Sequence, residues 1–68
     1  MFITREDEHN LPDFTSHDEA KAYFKNRYGD KFHFEYSMNL KGRKLYFYQL
    51  CCTQNIQIFE DGEIHIVY

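Results

Sequence analysis

Residues 16–38 of the chain have the sequence SHDEAKAYFKNRYGDKFHFEYSM, in which the spacing of the apolar side chains changes from a helical to a strand pattern. Ser16 is followed three positions later by Glu19, the spacing of a capping box, in which each side chain bonds the other residue's backbone amide. Acidic residues come first in the next segment and basic residues last, the order that the helix dipole favours. Because Gly29 suits a left-handed position after the last turn, the pattern predicts a helix over residues 17–28.

From residue 32 onward, apolar side chains recur at every second position, the period of a strand with one buried face. The pattern predicts four strands, over residues 32–38, 44–51, 55–59 and 63–68. Short connections favour an antiparallel meander, because consecutive strands then pair without a crossover. The predicted fold class is therefore α+β in two layers, with one N-terminal α-helix packed on a four-stranded antiparallel sheet.

The registers of two hairpins can also be predicted. A turn around residues 40–43, with either a two-residue or a four-residue loop, gives the same pairing of the first two strands. The resulting pairs are Met38 with Leu45, Tyr36 with Phe47, and Phe32 with Cys51. For the last hairpin, a three-residue loop with Gly62 in a left-handed position is expected, because it sets isoleucine against isoleucine on one face. Those pairs are Ile58 with Ile64 and Ile56 with Ile66.

One face of the predicted sheet is expected to lie under the helix. That face contains the apolar side chains Phe32, Phe34, Phe47, Ile56, Ile58, Ile64 and Ile66. The N-terminal segment, residues 1–12, is harder to assign. Residues 1–4 are apolar and suit either a short fifth strand or a frayed end, and the charged residues 5–10 show no periodicity and are expected to be solvated.

Length and composition indicate a small protein with one core. The 68 residues are too few for a second independent fold, so residues 1–68 are interpreted as a single domain. A net charge of −3 disfavours nucleic acid as a partner, because phosphate binding needs an excess of cations. The chain has no apolar run long enough for a membrane span and only two cysteines, adjacent in sequence, so a cytoplasmic location is expected.

No pattern typical of catalysis is present. The four histidines, His9, His17, His33 and His65, lack the spacing of metal ligands and are expected to face solvent. Cys51 and Cys52 have no adjacent base and are interpreted as small apolar residues of a strand. We therefore expect no enzyme activity, no cofactor, no metal and no small-molecule substrate.

The sheet face opposite the helix predicts a protein-interaction site. If the helix covers the first face, the second has aromatic and aliphatic side chains that one helix cannot also cover. The predicted site residues are Tyr46, Tyr48, Leu50 and Phe59, with His33 and His65 at the rim. The expected partner is an unidentified protein or a second copy of the chain in a homodimer. The alternative is that the N-terminal residues fold over this face.

A second functional hypothesis concerns the basic hairpin. Lys41, Arg43 and Lys44 precede Tyr46 and Tyr48, and cations followed by aromatic side chains suit phosphate contact and base stacking. This pattern predicts a nucleic-acid-associated accessory protein. The competing interpretation is a hairpin turn made soluble by three cations.

Overall fold

A computed structural model describes residues 3–51 and 54–67 and confirms the predicted α+β fold, a helix packed on a four-stranded antiparallel sheet. The helices are α1 (Arg5–His9) and α2 (His17–Tyr28), the second followed by a 3-10 turn over Gly29–Lys31. The strands are β1 (Phe32–Leu40), β2 (Arg43–Leu50), β3 (Gln54–Phe59) and β4 (Ile64–Val67). They lie in the order β1-β2-β3-β4, as a meander requires. Strand ends differ from the prediction by one or two residues, and the predicted end of the last strand, Tyr68, falls outside the described residues.

Helix α2 has the predicted bounds. The Ser16 hydroxyl accepts a hydrogen bond from the Glu19 amide at 3.2 Å. The reciprocal half of the expected capping box differs, because the Glu19 carboxylate accepts from the Thr15 hydroxyl at 3.1 Å. At the other end Gly29 has φ +59°, the left-handed conformation that glycine adopts most easily. The helix directs Ala20 and Phe24, both fully buried, onto the sheet.

The N-terminal segment differs from the prediction. Residues 5–9 form helix α1, so α2 is not the first helix. The Thr4 hydroxyl accepts from the Asp7 amide at 3.1 Å and the Asp7 carboxylate accepts from the Thr4 amide at 3.1 Å, a complete capping box. Ile3 and Thr4 are not in a strand, and the rest of the proposed fifth strand, residues 1 and 2, lies outside the described residues.

The first hairpin has the predicted turn but an unpredicted bulge. Lys41 and Gly42, with φ +52° and +82°, form a two-residue turn. Near this turn Met38 pairs with Leu45 and Tyr36 with Phe47, as predicted. The register then shifts by one residue at Glu35, so the next pairs are Phe34 with Tyr48 and Phe32 with Leu50. The predicted pairing of Phe32 with Cys51 is therefore wrong.

The bulge reverses the predicted faces of β2. Tyr46, Tyr48 and Leu50 point toward α2, and Tyr48 and Leu50 belong to the buried core. Phe47 points to the opposite face, where it is half-buried, and Phe34 is 55% exposed at the sheet edge. Phe47 was predicted to lie under the helix, and that placement is wrong. The physical reason is that an extra residue in one strand shifts every later pair by one position and so exchanges the faces. Phe34 keeps its predicted face, opposite Tyr48, but is exposed because β1 is an edge strand.

The last hairpin is as predicted. Ile58 pairs with Ile64 and Ile56 with Ile66, across the loop of residues 60–62. Gly62 has φ +94°, and its amide donates to the Phe59 carbonyl at 2.9 Å. The four isoleucines face α2, so this half of the predicted inner surface is confirmed.

The core lies between α2 and the inner face of the sheet, and the N-terminal segment closes one end of it. Its buried members are Ile3, Ala20, Phe24, Phe32, Tyr48, Leu50, Ile56, Ile58 and Ile66. The rings of Phe24, Phe32 and Tyr48 stack in sequence, with centroids 5.5 and 4.5 Å apart. Among the described residues, no helix is both long and apolar enough to cross a bilayer.

Candidate protein-interaction surface

The sheet face opposite α2 has a continuous set of apolar side chains, which we call the outer face. Its members are Tyr36, Met38, Leu40, Leu45, Phe47 and Phe59. Strand pairing brings them together, since Tyr36 lies opposite Phe47, and Leu45 lies between Met38 and Phe59. None of the helices in the described part of the chain packs on this face.

An aromatic pair joins β1 and β2 on the outer face. The rings of Tyr36 and Phe47 are stacked, with centroids 4.4 Å apart and an interplanar angle of 16°. Tyr36 is 53% exposed, so one side of this stack is open to solvent. Met38, which follows Tyr36 on the same face, is 43% exposed. An antiparallel sheet usually presents polar side chains on its solvent face, so this apolar centre is unusual.

A group of charged side chains covers the adjoining part of the outer face. The Arg43 guanidinium lies 4.0 Å from the centroid of the Phe59 ring, and the His65 ring meets Phe59 edge-on at 5.5 Å. These neighbours explain why Phe59 is buried although no second layer covers it. Arg43 Nη2 also donates to Asp61 at 3.0 Å and to Glu63 at 3.4 Å. The outer face therefore has an apolar centre with a charged border on one side.

Hydrogen bonds within this border favour the ionised form of its two carboxyl groups, Asp61 and Glu63. The Glu63 backbone amide donates to Asp61 at 3.0 Å and is the main cause of the lowered pKa of the Asp61 carboxyl. Glu63 Oε2 lies 2.7 Å from His65 Nε2, and that hydrogen bond is the main cause of the lowered pKa of Glu63. Both carboxylates therefore remain ionised and keep the Arg43 side chain in place over Phe59.

The structure separates the predicted site residues. Phe59 and His65 lie on the outer face, as expected, and exposed His33 lies on the same side at the far end of β1. Tyr46, Tyr48 and Leu50 lie on the inner face, so their predicted exposure is wrong. Sequence reasoning missed Tyr36, Met38 and Phe47 because it placed them under the helix.

Tyr46 and Tyr48, on the inner face, contact His17, which was predicted to face solvent. His17 is buried at the start of α2, with its ring stacked on Tyr46 at 3.6 Å between centroids. Its Nε2 lies 2.6 Å from the Tyr48 hydroxyl, and its Nδ1 lies 3.2 Å from Asp18 Oδ1. Burial lowers the pKa of His17 and raises the pKa of Tyr48 to about 12, so both side chains are neutral at pH 7. The arrangement assigns Nδ1–H as donor to Asp18, and the Tyr48 hydroxyl as donor to Nε2.

The basic hairpin does not form one cationic surface. Lys41 lies in the turn, Arg43 lies on the outer face bound to two carboxylates, and Lys44 lies on the inner side with Nζ 5.2 Å from the Tyr46 ring centroid. Tyr48 is 2% exposed and cannot stack on a base. This geometry gives the nucleic-acid hypothesis little support, because its cations diverge and its predicted stacking residues are covered.

A buried glutamine is a further feature that sequence reasoning missed. The Gln54 side chain accepts from the Ile3 amide at 2.7 Å and donates to the Ile3 carbonyl at 2.8 Å. The two bonds fix the N-terminal segment to β3. No local sequence pattern indicates this contact. The start of α1 could have been predicted, because Thr4 and Asp7 have the spacing of a capping box.

Within the described residues, no group of three or more histidine, cysteine, aspartate or glutamate side chains is placed to hold a metal ion. Comparison of the chain with protein-family models, with curated proteins and with solved structures finds no match.

Proposed function

We propose that the protein is a non-catalytic protein-protein interaction module that binds through the outer face of its sheet. The observation that supports this most directly is the open Tyr36–Phe47 stack on an apolar sheet face on which no helix of the described chain packs. The proposal keeps the sheet face inferred from sequence as the binding surface but exchanges most of its residues.

The composition of the outer face suits a protein partner. Exposed aromatic and methionine side chains are enriched at the centre of protein interfaces, and charged residues are found at the rim. Here Tyr36, Met38 and Leu40 are exposed and apolar, and Arg43 with its two carboxylates stands at the border. Exposed apolar area of this kind has an energetic cost in water that binding removes.

Packing accounts for the side chains that could otherwise suggest catalysis. His17 and Tyr48 are hydrogen-bonded to each other and are only 8% and 2% exposed, which leaves a substrate little access to either side chain. Cys51 is a free thiol. A free thiol is typical of a reducing compartment, so the proposal includes a cytoplasmic location.

Site-specific photocrosslinking in the native host tests the proposal. A benzophenone amino acid at Tyr36 or Leu40 lies on the outer face, and the same probe at Asn26 lies on the exposed side of α2 as a matched control. We expect a discrete protein adduct from both outer-face positions and none from the control. Adducts that form equally at Asn26, or at none of the three positions, would contradict the proposal.

A further inference from the structure

Strand β1 lies at an edge of the sheet, with β2 on one side and no strand of the described chain on the other. It is nine residues long, and every residue after Phe32 is exposed. The opposite edge, β4, has four residues. β1 therefore offers the longer row of unpaired backbone groups, the kind of edge to which another strand can add.

The turn geometry shows which backbone groups point outward from β1. In a two-residue hairpin the flanking residues, here Leu40 and Arg43, form a hydrogen-bonded pair, and hydrogen-bonded and non-bonded pairs then alternate along the strands. The amides and carbonyls of Ser37 and Asn39 consequently face the free edge. The Lys44 carbonyl agrees with this assignment, because it accepts from the Glu60 amide at 3.0 Å and so faces β3, away from Asn39.

The free edge lacks the features that usually prevent strand addition. Residues 36–40 have no proline, no charged side chain and no bulge, since the shift in register ends at Tyr36. Natural edge strands are commonly protected by one of these features. Side chains alternate along this stretch. Those on the outer face are apolar, and those on the other face, Ser37 and Asn39, are polar.

We infer that the partner of this surface is a second copy of the chain, joined by antiparallel pairing of the two β1 strands about a two-fold axis at Met38. Two four-stranded sheets would then form one continuous sheet, and their outer faces would merge. The inference rests on the proposed function, for which it names the partner.

The β1 sequence is complementary to itself in this register. Met38 lies opposite Met38 of the second copy, and Tyr36 lies opposite Leu40, so the outer face pairs apolar with apolar. Ser37 lies opposite Asn39, so the residues with free backbone groups form the hydrogen-bonded pairs. A shift by one residue would oppose apolar and polar side chains. A shift by two would bring either the bulge at Glu35 or the turn at Lys41 and Gly42 into the paired segment, depending on its direction.

Charge favours the same register. Just beyond the paired segment, Glu35 of each copy lies next to Lys41 of the other. Within the described part of the chain, neither side chain has an ion-pair partner. The two symmetry-related contacts would therefore pair four charges that the single chain leaves unpaired.

Sedimentation of the full chain over about 5 to 500 µM tests the inference. The paired segment is short, so we expect a reversible dimer of twice 8.4 kDa with Kd of roughly 10–100 µM. A wild-type chain that is monomeric throughout this range would overturn the inference. The proposed function would still stand if crosslinking at Tyr36 gave an adduct with a different protein.

Paired variants separate edge pairing from packing of one outer face on another. Met38→Lys places two cations opposite each other at the axis and should weaken the dimer at least about tenfold. Val67→Lys makes the same change on the same side of the sheet but at the far edge, beyond the outer face, where only face-to-face packing of two sheets would bury it, and it should leave Kd within about threefold. Ser37→Pro removes an outward amide that has no partner among residues 3–51 and 54–67 and should weaken the dimer about thirtyfold, whereas Ser37→Ala should not. Loss of the dimer in Val67→Lys but not in Ser37→Pro would overturn the edge geometry.

Charge reversal tests the register itself. Glu35→Lys and Lys41→Glu should each weaken the dimer about two- to fivefold, because each sets like charges beside one another. The double variant should restore Kd to within about twofold of wild type. Circular dichroism and thermal melting of every variant identify any that fail to fold. Folded single variants that dimerise as wild type does would overturn the proposed register.

Discussion

The fold leaves no room for a side chain at Gly62. A Cβ at this position would lie 2.5 Å from the Phe14 carbonyl oxygen and 2.9 Å from the Ser16 nitrogen, both backbone atoms. The same region joins the last hairpin to the start of α2, because the His17 amide donates to the Glu60 carbonyl at 2.9 Å. Gly62 therefore permits two things, a left-handed turn and the close approach of the segment that precedes the helix.

Gly62→Ala should lower the free energy of unfolding by about 2–4 kcal/mol, since the methyl group must displace backbone and also occupies a left-handed φ of +94°. Gly42→Ala is a matched control, because its φ is +82° but nothing lies within 4 Å of the added Cβ. That change should cost only about 1 kcal/mol. Urea unfolding of both variants measures the difference, and equal losses would show that the contact with Phe14 is unimportant.

His17 gives the protein a pH-dependent stability. Because burial lowers its pKa below the ordinary value of 6.5, the unfolded chain binds a proton at this position more readily than the folded chain. The contribution is fully present above about pH 6.5 and is lost as the pH falls from there through the lowered pKa of the folded state.

The free energy of unfolding of the wild type should therefore fall more steeply between pH 7.5 and 5 than that of His17→Gln, which lacks the titrating ring. The carboxylates and the other histidines are common to both proteins, so the difference in slope isolates His17. Urea titrations at a series of pH values measure it. Parallel stability profiles would contradict the assignment of a buried neutral imidazole bonded to Tyr48.

At the scale of the element, the bulge at Glu35 determines which side chains form the interaction surface. On its N-terminal side Phe32 points into the core, and on its C-terminal side Tyr36 points to the outer face. Two residues four apart would share a face in a regular strand. The extra residue lets one strand supply an aromatic side chain to each surface.

Deleting Glu35 should therefore destabilise the protein by at least about 3 kcal/mol, because regular alternation would force either Phe32 out of the core or Tyr36 and Met38 into it. Glu35→Ala keeps the chain length and removes only an exposed side chain, so it should change stability by no more than about 0.5 kcal/mol. Urea unfolding compares the two. A deletion variant as stable as Glu35→Ala would mean that β1 tolerates either register.

The same strand shows why the fold was predictable and the candidate site was not. The caps of α2 and the turns at Gly42 and Gly62 depend on local chemistry, and each was predicted at its observed position. The bulge has no local sequence signal. Apolar residues alternate regularly on both sides of Glu35, so the sequence of β1 is the same as that expected for a strand without a bulge. β2 adds to the ambiguity because Leu45, Tyr46, Phe47 and Tyr48 are apolar on both faces.

The N-terminal segment completes a core that the helix and sheet leave open at one end. Ile3 is 1% exposed. It precedes α1, which a short loop connects to α2. α1 itself contributes no buried side chain. The segment thus stabilises the protein through Ile3 and its two bonds to Gln54, and α1 serves mainly to connect this residue to the rest of the chain.

Ile3→Ala should accordingly lower the free energy of unfolding by about 3 kcal/mol, the cost of a cavity at a fully buried aliphatic position. Glu6→Gly, which weakens α1 on its exposed surface, should cost no more than about 1 kcal/mol. In a domain of this size the first loss is a large part of the total, so the melting temperature of Ile3→Ala should fall well below that of Glu6→Gly. If the two variants melted together, the N-terminal segment would act through its helix, and the closed core described here would be wrong at that end.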